Sequence, residues 1–225
     1  VAKKMHEILD THDGSHTLLS DQHGVTYHSK YGAITETNHV FIEAALRFKS
    51  AIQQNIRILE IGFGTGLNAY ATLLEAVKRN LKIVYTTYEA FPISEEQAST
   101  LNYHEQLEPE IGNSNFMQLH KLDWNNQQFI NENFQFKKIN QTFQTIEDEG
   151  LYDIIYFDAF APESQPELWS ADLLSKMYTA LKPEGLLTTY CAKGIVKRTF
   201  KSVGFTLETL QGPPGKREMI RVSKI

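Results

Sequence analysis

One cysteine, Cys191, is all that the 225 residues contain, so no disulfide can form within the chain and a reducing compartment is the expectation. No apolar run reaches the roughly 20 residues of a membrane-spanning helix, and no secretory h-region is present, so a cytoplasmic location away from membranes follows as the expectation. Cations are also in short supply. The 22 Lys and Arg stand against 27 Asp and Glu, a net charge of −5 that excludes a uniformly basic nucleic-acid binder. His16, His28 and His39 are spaced too irregularly for a metal site and there is no second thiol, so no metal is assigned. G-x-S-x-G, Walker and H-E-x-x-H motifs are missing, as are internal repeats and low-complexity linkers. Cys191, with no base at a telling spacing, reads as a buried, inert thiol. At 41% hydrophobic and 22% charged, the chain has the composition of a single well-buried core.

What is present begins at Leu59-Glu60-Ile61-Gly62-Phe63-Gly64-Thr65-Gly66-Leu67-Asn68, where an apolar run empties into three alternate glycines and then a helix-like segment. Glycines let the chain bend sharply and bring bare N–H groups against a ligand, and the helix start adds unpaired N–H groups. The spacing differs from the G-x-G-x-x-G of dinucleotide binders. With Glu60 two residues ahead of the first glycine, it resembles motif I of class I S-adenosylmethionine-dependent methyltransferases. A second apolar run, Ile83 to Tyr88, ends at Glu89, about 20 residues past the turn, where an adjacent parallel strand would present a carboxylate to ribose hydroxyls. A plain structural turn and a solvated Glu89 are the bland alternatives.

Strand-like and helix-like segments alternate, the pattern of a parallel sheet covered on both faces. Strands are predicted at Arg57–Phe63, Ile83–Glu89, Phe116–Leu122, Tyr152–Phe157, Gly185–Cys191, Thr206–Leu210 and Glu218–Ser223. Helices are predicted at Asn68–Arg79, Ser94–Tyr103 with Ser94 as N-cap, Pro166–Leu181 and Ile195–Val203, and Lys182-Pro183-Glu184-Gly185 is a turn. Ahead of these, residues 1–50 read as an extension packed on a core of 51–225: a small hairpin with turns at Asp13-Gly14 and His23-Gly24, then a helix from about Val40 to Lys49. Between Asp123 and Asp153 the chain is rich in Asn, Gln and Phe, and its aromatic residues read as packing residues.

The strand Tyr152–Phe157 runs into Asp158-Ala159-Phe160-Ala161-Pro162. Beside the glycine turn, at the switch point of an open sheet, Asp158 would face the reactive end of a bound ligand. The segment varies the Asp/Asn-Pro-Pro-aromatic turn of amino-group methyltransferases, in which a carboxylate orients an amine and takes its proton. A turn-capping carboxylate is the alternative. Asp123 with Trp124, read as the end of the third strand, could hold an adenine, or be an ordinary strand end. From Cys191 onward eight cations face only Glu208 and Glu218, which fits either a phosphate-binding face or a solvated surface.

Together Asp13-Gly14-Ser15-His16-Thr17-Leu18, Tyr27-His28-Ser29-Lys30-Tyr31-Gly32-Ala33, Glu36 with His39-Val40-Phe41, the glycine turn, Tyr88-Glu89-Ala90-Phe91-Pro92, Asp158 to Pro162 with Pro166-Glu167-Leu168-Trp169, and Gly215-Lys216-Arg217-Glu218-Met219 resemble the MnmC-like methyltransferase family. The resemblance covers nearly the whole chain outside roughly 124–150. It implies an α/β, Rossmann-like class I methyltransferase with a mostly parallel sheet, helices on both faces and an N-terminal hairpin and helix extension. The implied activity is S-adenosyl-L-methionine-dependent methylation of the 5-aminomethyl group on the wobble uridine of tRNA. Asp158 would be catalytic, and Glu60, Gly62, Gly64, Gly66, Asn68, Glu89, Asp123 and Trp124 would hold the cofactor. Tyr27, Tyr31, Phe160 or Trp169 could stack on the base of the anticodon loop, and Lys193, Lys197, Arg198, Lys216 and Arg217 could meet phosphates. Larger members carry a fused oxidase domain, which this chain is expected to lack. In those members small hydroxylated residues are expected where Cys191-Ala192-Lys193 stands. A small-molecule amine methyl- or aminopropyl-transferase and a catalytically silent RNA-binding module are the rival readings.

Overall fold

The computed structural model describes residues 6–21, 24–108 and 114–225. Among these, eight strands form one sheet in the order β5-β6-β4-β3-β7-β8-β10-β9. They are β3 (Asn55–Ile61), β4 (Lys82–Tyr88), β5 (Gln127–Asn131), β6 (Phe134–Ile139), β7 (Tyr152–Phe157), β8 (Leu181–Thr189), β9 (Thr206–Gln211) and β10 (Glu218–Ser223). The inner five, β6 to β8 in space, run parallel; β5 and β10 run antiparallel to them, and β9 pairs antiparallel with β10. The chain builds outward from β3 through β4 to β6, then crosses back to lay β7 on the other side of β3, pairing Ile61 with Phe157. That reversal opens a crevice at the carboxyl ends of β3 and β7.

Each face of the sheet has its own apolar layer. On one lie α2 (Leu67–Arg79), α5 (Ser114–Lys121) and a helical rod from Ala33 to Ser50. The rod is α1 (Ala33–Thr37), continued by π-wound turns over Asn38–Arg47 and closed by Phe48–Ser50. It packs through Val40, Phe41 and Ala45, with the Phe41 ring 5.0 Å from that of Tyr156. On the other face α6 (Ala171–Ala180) and α7 (Gly194–Val203) cover Leu59, Ile155 and Phe157. The hairpin β1 (Glu7–Asp10) with β2 (His16–Leu19) turns at Asp13-Gly14, and the Asp13 carboxylate also accepts from Thr35 N at 2.8 Å, capping the rod. Burial disfavours that charge, but hydrogen bonds from Ser15, Thr35 and Thr11 outweigh it and hold the Asp13 pKa at about 2. The second expected turn includes His23, outside the described residues; beyond it Thr26 meets Leu19 in a single bridge.

Four sequence expectations need correcting. Phe116–Leu122 is helix, not strand: Phe116, Met117, Leu119 and His120 are buried, a spacing that follows one helical face. The third parallel strand is instead β6, where Phe134 and Phe136 point inward between Gln135 and Lys137. The helix expected over Ser94–Tyr103 breaks into α3 (Glu95–Ala98) and α4 (Tyr103–Leu107), although Ser94 does cap the first by accepting from Gln97 N at 3.1 Å. Ser99 and Thr100 hydroxyls take helix carbonyls, and the Asn102 side chain is drawn to the hairpin, accepting from His16 N at 2.8 Å. The helix expected from Pro166 to Leu181 splits at Ser170, which caps α6 after a 3-10 turn over Pro166–Trp169, and Leu181 already belongs to β8. Lys182 to Gly185 bulge within β8, with Glu184 at φ 61°, before pairing resumes at Leu186.

Candidate active site

The three glycines of the β3–α2 turn all sit at positive φ, 95°, 51° and 79° for Gly62, Gly64 and Gly66. A side chain at Gly62 would press on the Asp158 carbonyl at 3.1 Å, and one at Gly64 on the Tyr27 ring at 3.2 Å. Above the turn opens a cavity of about 290 Å³ bordered by Gly62, Gly64, Asn68, Glu89, Asp158 and Phe160. Glu89 is held at its lip by two backbone donors, Gly64 N at 3.0 Å and Phe91 N at 2.7 Å, one to each oxygen. Tyr27, from the N-terminal extension, meets Phe160 edge to face at 5.2 Å, so one wall is aromatic.

Asp158 stands where β7 ends, with its N–H on the Ile61 carbonyl at 3.2 Å. Asn68, one residue into α2, donates to Asp158 Oδ2 at 2.8 Å and accepts from Thr37 Oγ1 at 2.8 Å. Both ends of that amide are therefore engaged in orienting the carboxyl. Burial, then the neighbouring Glu36 carboxylate, push the Asp158 pKa up to about 7, against the pull of Asn68 and Lys216. A carboxyl half ionised near neutrality can take a proton and release it again. His28 also borders the cavity, its Nε2 2.8 Å from Thr65 Oγ1, and burial lowers its pKa to about 4, so it stays neutral.

Other residues singled out in the sequence lie elsewhere. Glu60 points into the sheet–helix interior, fully buried, beside Thr87 and Tyr156 in cross-strand register, and does not border the cavity. Burial, reinforced by Asp158, drives its pKa far upward, so it is a neutral acid. Gly66 packs behind the turn against His120, whose Nε2 meets the Thr65 carbonyl at 3.1 Å. Because the third strand is β6, Asp123 is exposed at the end of α5 and does not border the cavity. Trp124 lines a separate cavity of about 220 Å³, with the buried Lys138 4.6 Å over its ring. The strand-end position beside Glu89 falls to Asn140, which donates to the Glu89 carbonyl at 2.8 Å, and Thr142, Phe143 and Gln144 after it border the main cavity. Nothing short of placing β6 correctly would have found them.

Tyr31 is half exposed and lies over Gly215, outside the cavity. Trp169 is buried, donating to the Phe160 carbonyl at 2.9 Å and packed on Phe157, so it supports the loop and has no free face for a base. Among the cations, Arg198 and Arg217 are exposed, Lys193 pairs with Glu163, and Lys197 pairs with Glu218 at 2.6 Å. Lys216 departs from its expected place on the surface: it turns inward into an ion pair with the buried Glu36, its Nζ 4.0 Å above the Tyr190 ring. Glu36, absent from the candidate site residues, is thereby part of the surroundings of Asp158.

The profile of a family described as S-adenosyl-L-methionine-dependent methyltransferases matches residues 100–225. Over 218 residues the chain is 31% identical to the tRNA 5-methylaminomethyl-2-thiouridine biosynthesis bifunctional protein MnmC of Leptospira borgpetersenii, covering 91% of this chain and 33% of that protein. It thus spans about a third of the length of the curated relatives it matches. The crystal structure of MNMC2 from Aquifex aeolicus superposes with a TM-score of 0.75 at 27% identity, over 99% of this chain and 71% of that one. Spermidine synthase from Thermotoga maritima shares the fold, with a TM-score of 0.56 at 13% identity over 99% of this chain and 71% of that one.

Proposed function

The chain belongs to the S-adenosyl-L-methionine-dependent methyltransferases, and from that premise we propose that it methylates the 5-aminomethyl nitrogen of the wobble uridine, position 34, in the anticodon loop of tRNA. The product is 5-methylaminomethyl-uridine or its 2-thio form. The observation that carries this reading is Asp158, a carboxyl with a pKa of about 7 at the switch point, bordering the same cavity as Gly62 and Gly64 of the glycine turn. The Leptospira relative, named for the biosynthesis of 5-methylaminomethyl-2-thiouridine in tRNA, supports the choice of substrate.

The turn fits the cofactor: a Cβ at Gly62 or Gly64 would crowd the bend, and Glu89 is fixed at the lip by two N–H donors. Gly62, Gly64 and Glu89 would hold it, with Thr142 to Gln144 closing the far side. S-adenosyl-L-methionine, when bound, supplies an electrophilic methyl group on a sulfonium. An aminomethyl group enters as an ammonium and must lose a proton before its lone pair can attack. Asp158 takes that proton, and Asn68 keeps the carboxyl aimed. General-base help of this kind is worth about 10²–10⁴-fold. Tyr27 and Phe160 offer rings for the pyrimidine, and a base already in a loop costs little to present.

Nucleoside mass spectrometry after incubating aminomethyl-uridine tRNA with the protein and methyl-labelled cofactor tests the reading. Label should appear in 5-methylaminomethyl-uridine. Cofactor turnover on small polyamines with untouched tRNA would move the function to small amines. Calorimetry with S-adenosylhomocysteine that shows no heat would remove the enzymatic reading altogether.

A further inference from the structure

Three distant parts of the chain converge on the surroundings of Asp158: Glu36 precedes Thr37, which donates to the Asn68 that in turn donates to Asp158, and Tyr190 holds the carbonyl of the next residue. Glu36 comes from the rod, its Oε2 accepting from Ser29 N at 2.8 Å and its Oε1 paired with Lys216. Lys216 comes from the loop joining β9 and β10, and its cation lies over the face of Tyr190. Tyr190, just past β8, ties this group to the catalytic loop by donating to the Ala159 carbonyl at 2.8 Å. Glu36 is buried and Lys216 is partly covered, so the pair is screened less than one lying wholly on the surface. Lys216 is otherwise unexplained: a loop cation that leans in from solvent gives up part of its hydration for one carboxylate and one ring.

We propose that the Glu36–Lys216 pair is a positioning pair for Asp158, through which the N-terminal rod and the β9–β10 loop together set the charge state of the carboxyl that receives the substrate's proton. The inference rests on the reading of Asp158 as proton acceptor, but the coupling itself exists without substrate. The two charges act in opposite directions. Burial brings the Asp158 carboxyl towards neutrality; on top of that Glu36 disfavours a second negative charge nearby and Lys216 favours it, so losing either member of the pair would displace Asp158 in a predictable direction. The remaining groups that feel Asp158 do not replace them. Glu60 from β3 is held neutral by burial, Tyr85 from β4 and Tyr190 keep their protons far above neutrality, and Asn68 from α2 carries no charge.

The test follows the Asp158 carboxyl by carbon-13 NMR in the full chain labelled at aspartate, without tRNA, the resonance being assigned by its loss in Asp158→Asn. Lys216→Met keeps the packing over Tyr190 and should raise the Asp158 midpoint by about one pH unit or more, whereas Glu36→Gln should lower it by a similar amount. The double variant should fall between them. Lys216→Arg, which keeps the charge, should titrate as the native chain does. Midpoints that stay put, or that move the same way in Lys216→Met and Glu36→Gln, would overturn the proposal. So would a midpoint in Lys216→Arg displaced as far as in Lys216→Met. Should Lys216→Met fail to fold, the Glu36→Gln direction decides. The acid limb of methyl transfer should track these midpoints. If the midpoints move as stated but aminomethyl-uridine tRNA is not methylated, the substrate reading fails and the coupling stands.

Discussion

Asp158, in the role proposed for it, would weaken the fold in order to serve its chemistry. In the folded chain it keeps its proton up to about pH 7, whereas an aspartate in an unfolded chain releases it near ~4. Between those values the folded state binds more protons than the unfolded one, so stability falls as pH rises through the window and the deficit persists above it. At ~1.4 kcal/mol per pKa unit this is at most a few kcal/mol. Asp158→Asn preserves an acceptor for Asn68 and abolishes the ionisation. Calorimetry should find the variant more stable than the native chain at pH 8 and nearly level with it at pH 4. Its methyl transfer should drop by about 10²-fold or more while S-adenosylhomocysteine still binds. A gain in stability that is equal at both pH values would mean that Asp158 is not the group responsible.

At the scale of elements, what was legible in the sequence followed periodicity and punctuation. β7 and β10 lie where their apolar runs predict, and α2 begins one residue from its expected start because the glycines mark it. α5 was legible too, since Phe116, Met117, Leu119 and His120 fall on one helical stripe, but a short apolar run read as a strand hides that spacing. β6 was obscured by Asn- and Gln-rich flanks, and the true neighbours of the cavity, Thr142 to Gln144, went with it. Glu36 and Lys216 could not be paired from sequence at all, because they are 180 residues apart and meet only through tertiary packing. The consequence of finding α5 as a helix is local. It brings His120 against Gly66, where a Cβ would stand 2.7 Å from Nε2 and 3.0 Å from the Phe63 ring, at a φ of 79°. Gly66→Ala should therefore cost about 1–3 kcal/mol in denaturant unfolding. Adding His120→Ala should relieve the clash but not the backbone strain, so the cost of Gly66→Ala should be smaller in that background without vanishing. If the Gly66→Ala cost is the same in both backgrounds, the helix does not press on the turn.

Across the whole molecule, a net charge of −5 must be reconciled with the polyanionic substrate proposed above, and the arrangement of cations offers a way. The first turn of α7 and the start of β10 are tied together by the Lys197–Glu218 pair, and exposed Arg198 and Arg217 each stand next to one member of it in the chain. Lys193, at the start of α7, is paired with Glu163 from the loop that follows Asp158, so this basic face adjoins the end of the sheet where the cavity opens. Local charge of this kind can recruit phosphates although the chain as a whole is acidic. Each phosphate neutralised by a cation releases about one counterion, so Arg198→Ala with Arg217→Ala should weaken tRNA binding and reduce the slope of log affinity against log salt by roughly 2. Lys216→Met should leave that slope alone, because its cation is already spoken for by Glu36. Fluorescence anisotropy with labelled tRNA over roughly 50–200 mM salt separates the two cases. A slope that flattens for Lys216→Met and not for the arginine pair would reverse the assignment, making Lys216 the phosphate contact and leaving its place beside Asp158 without a role in the charge of the site.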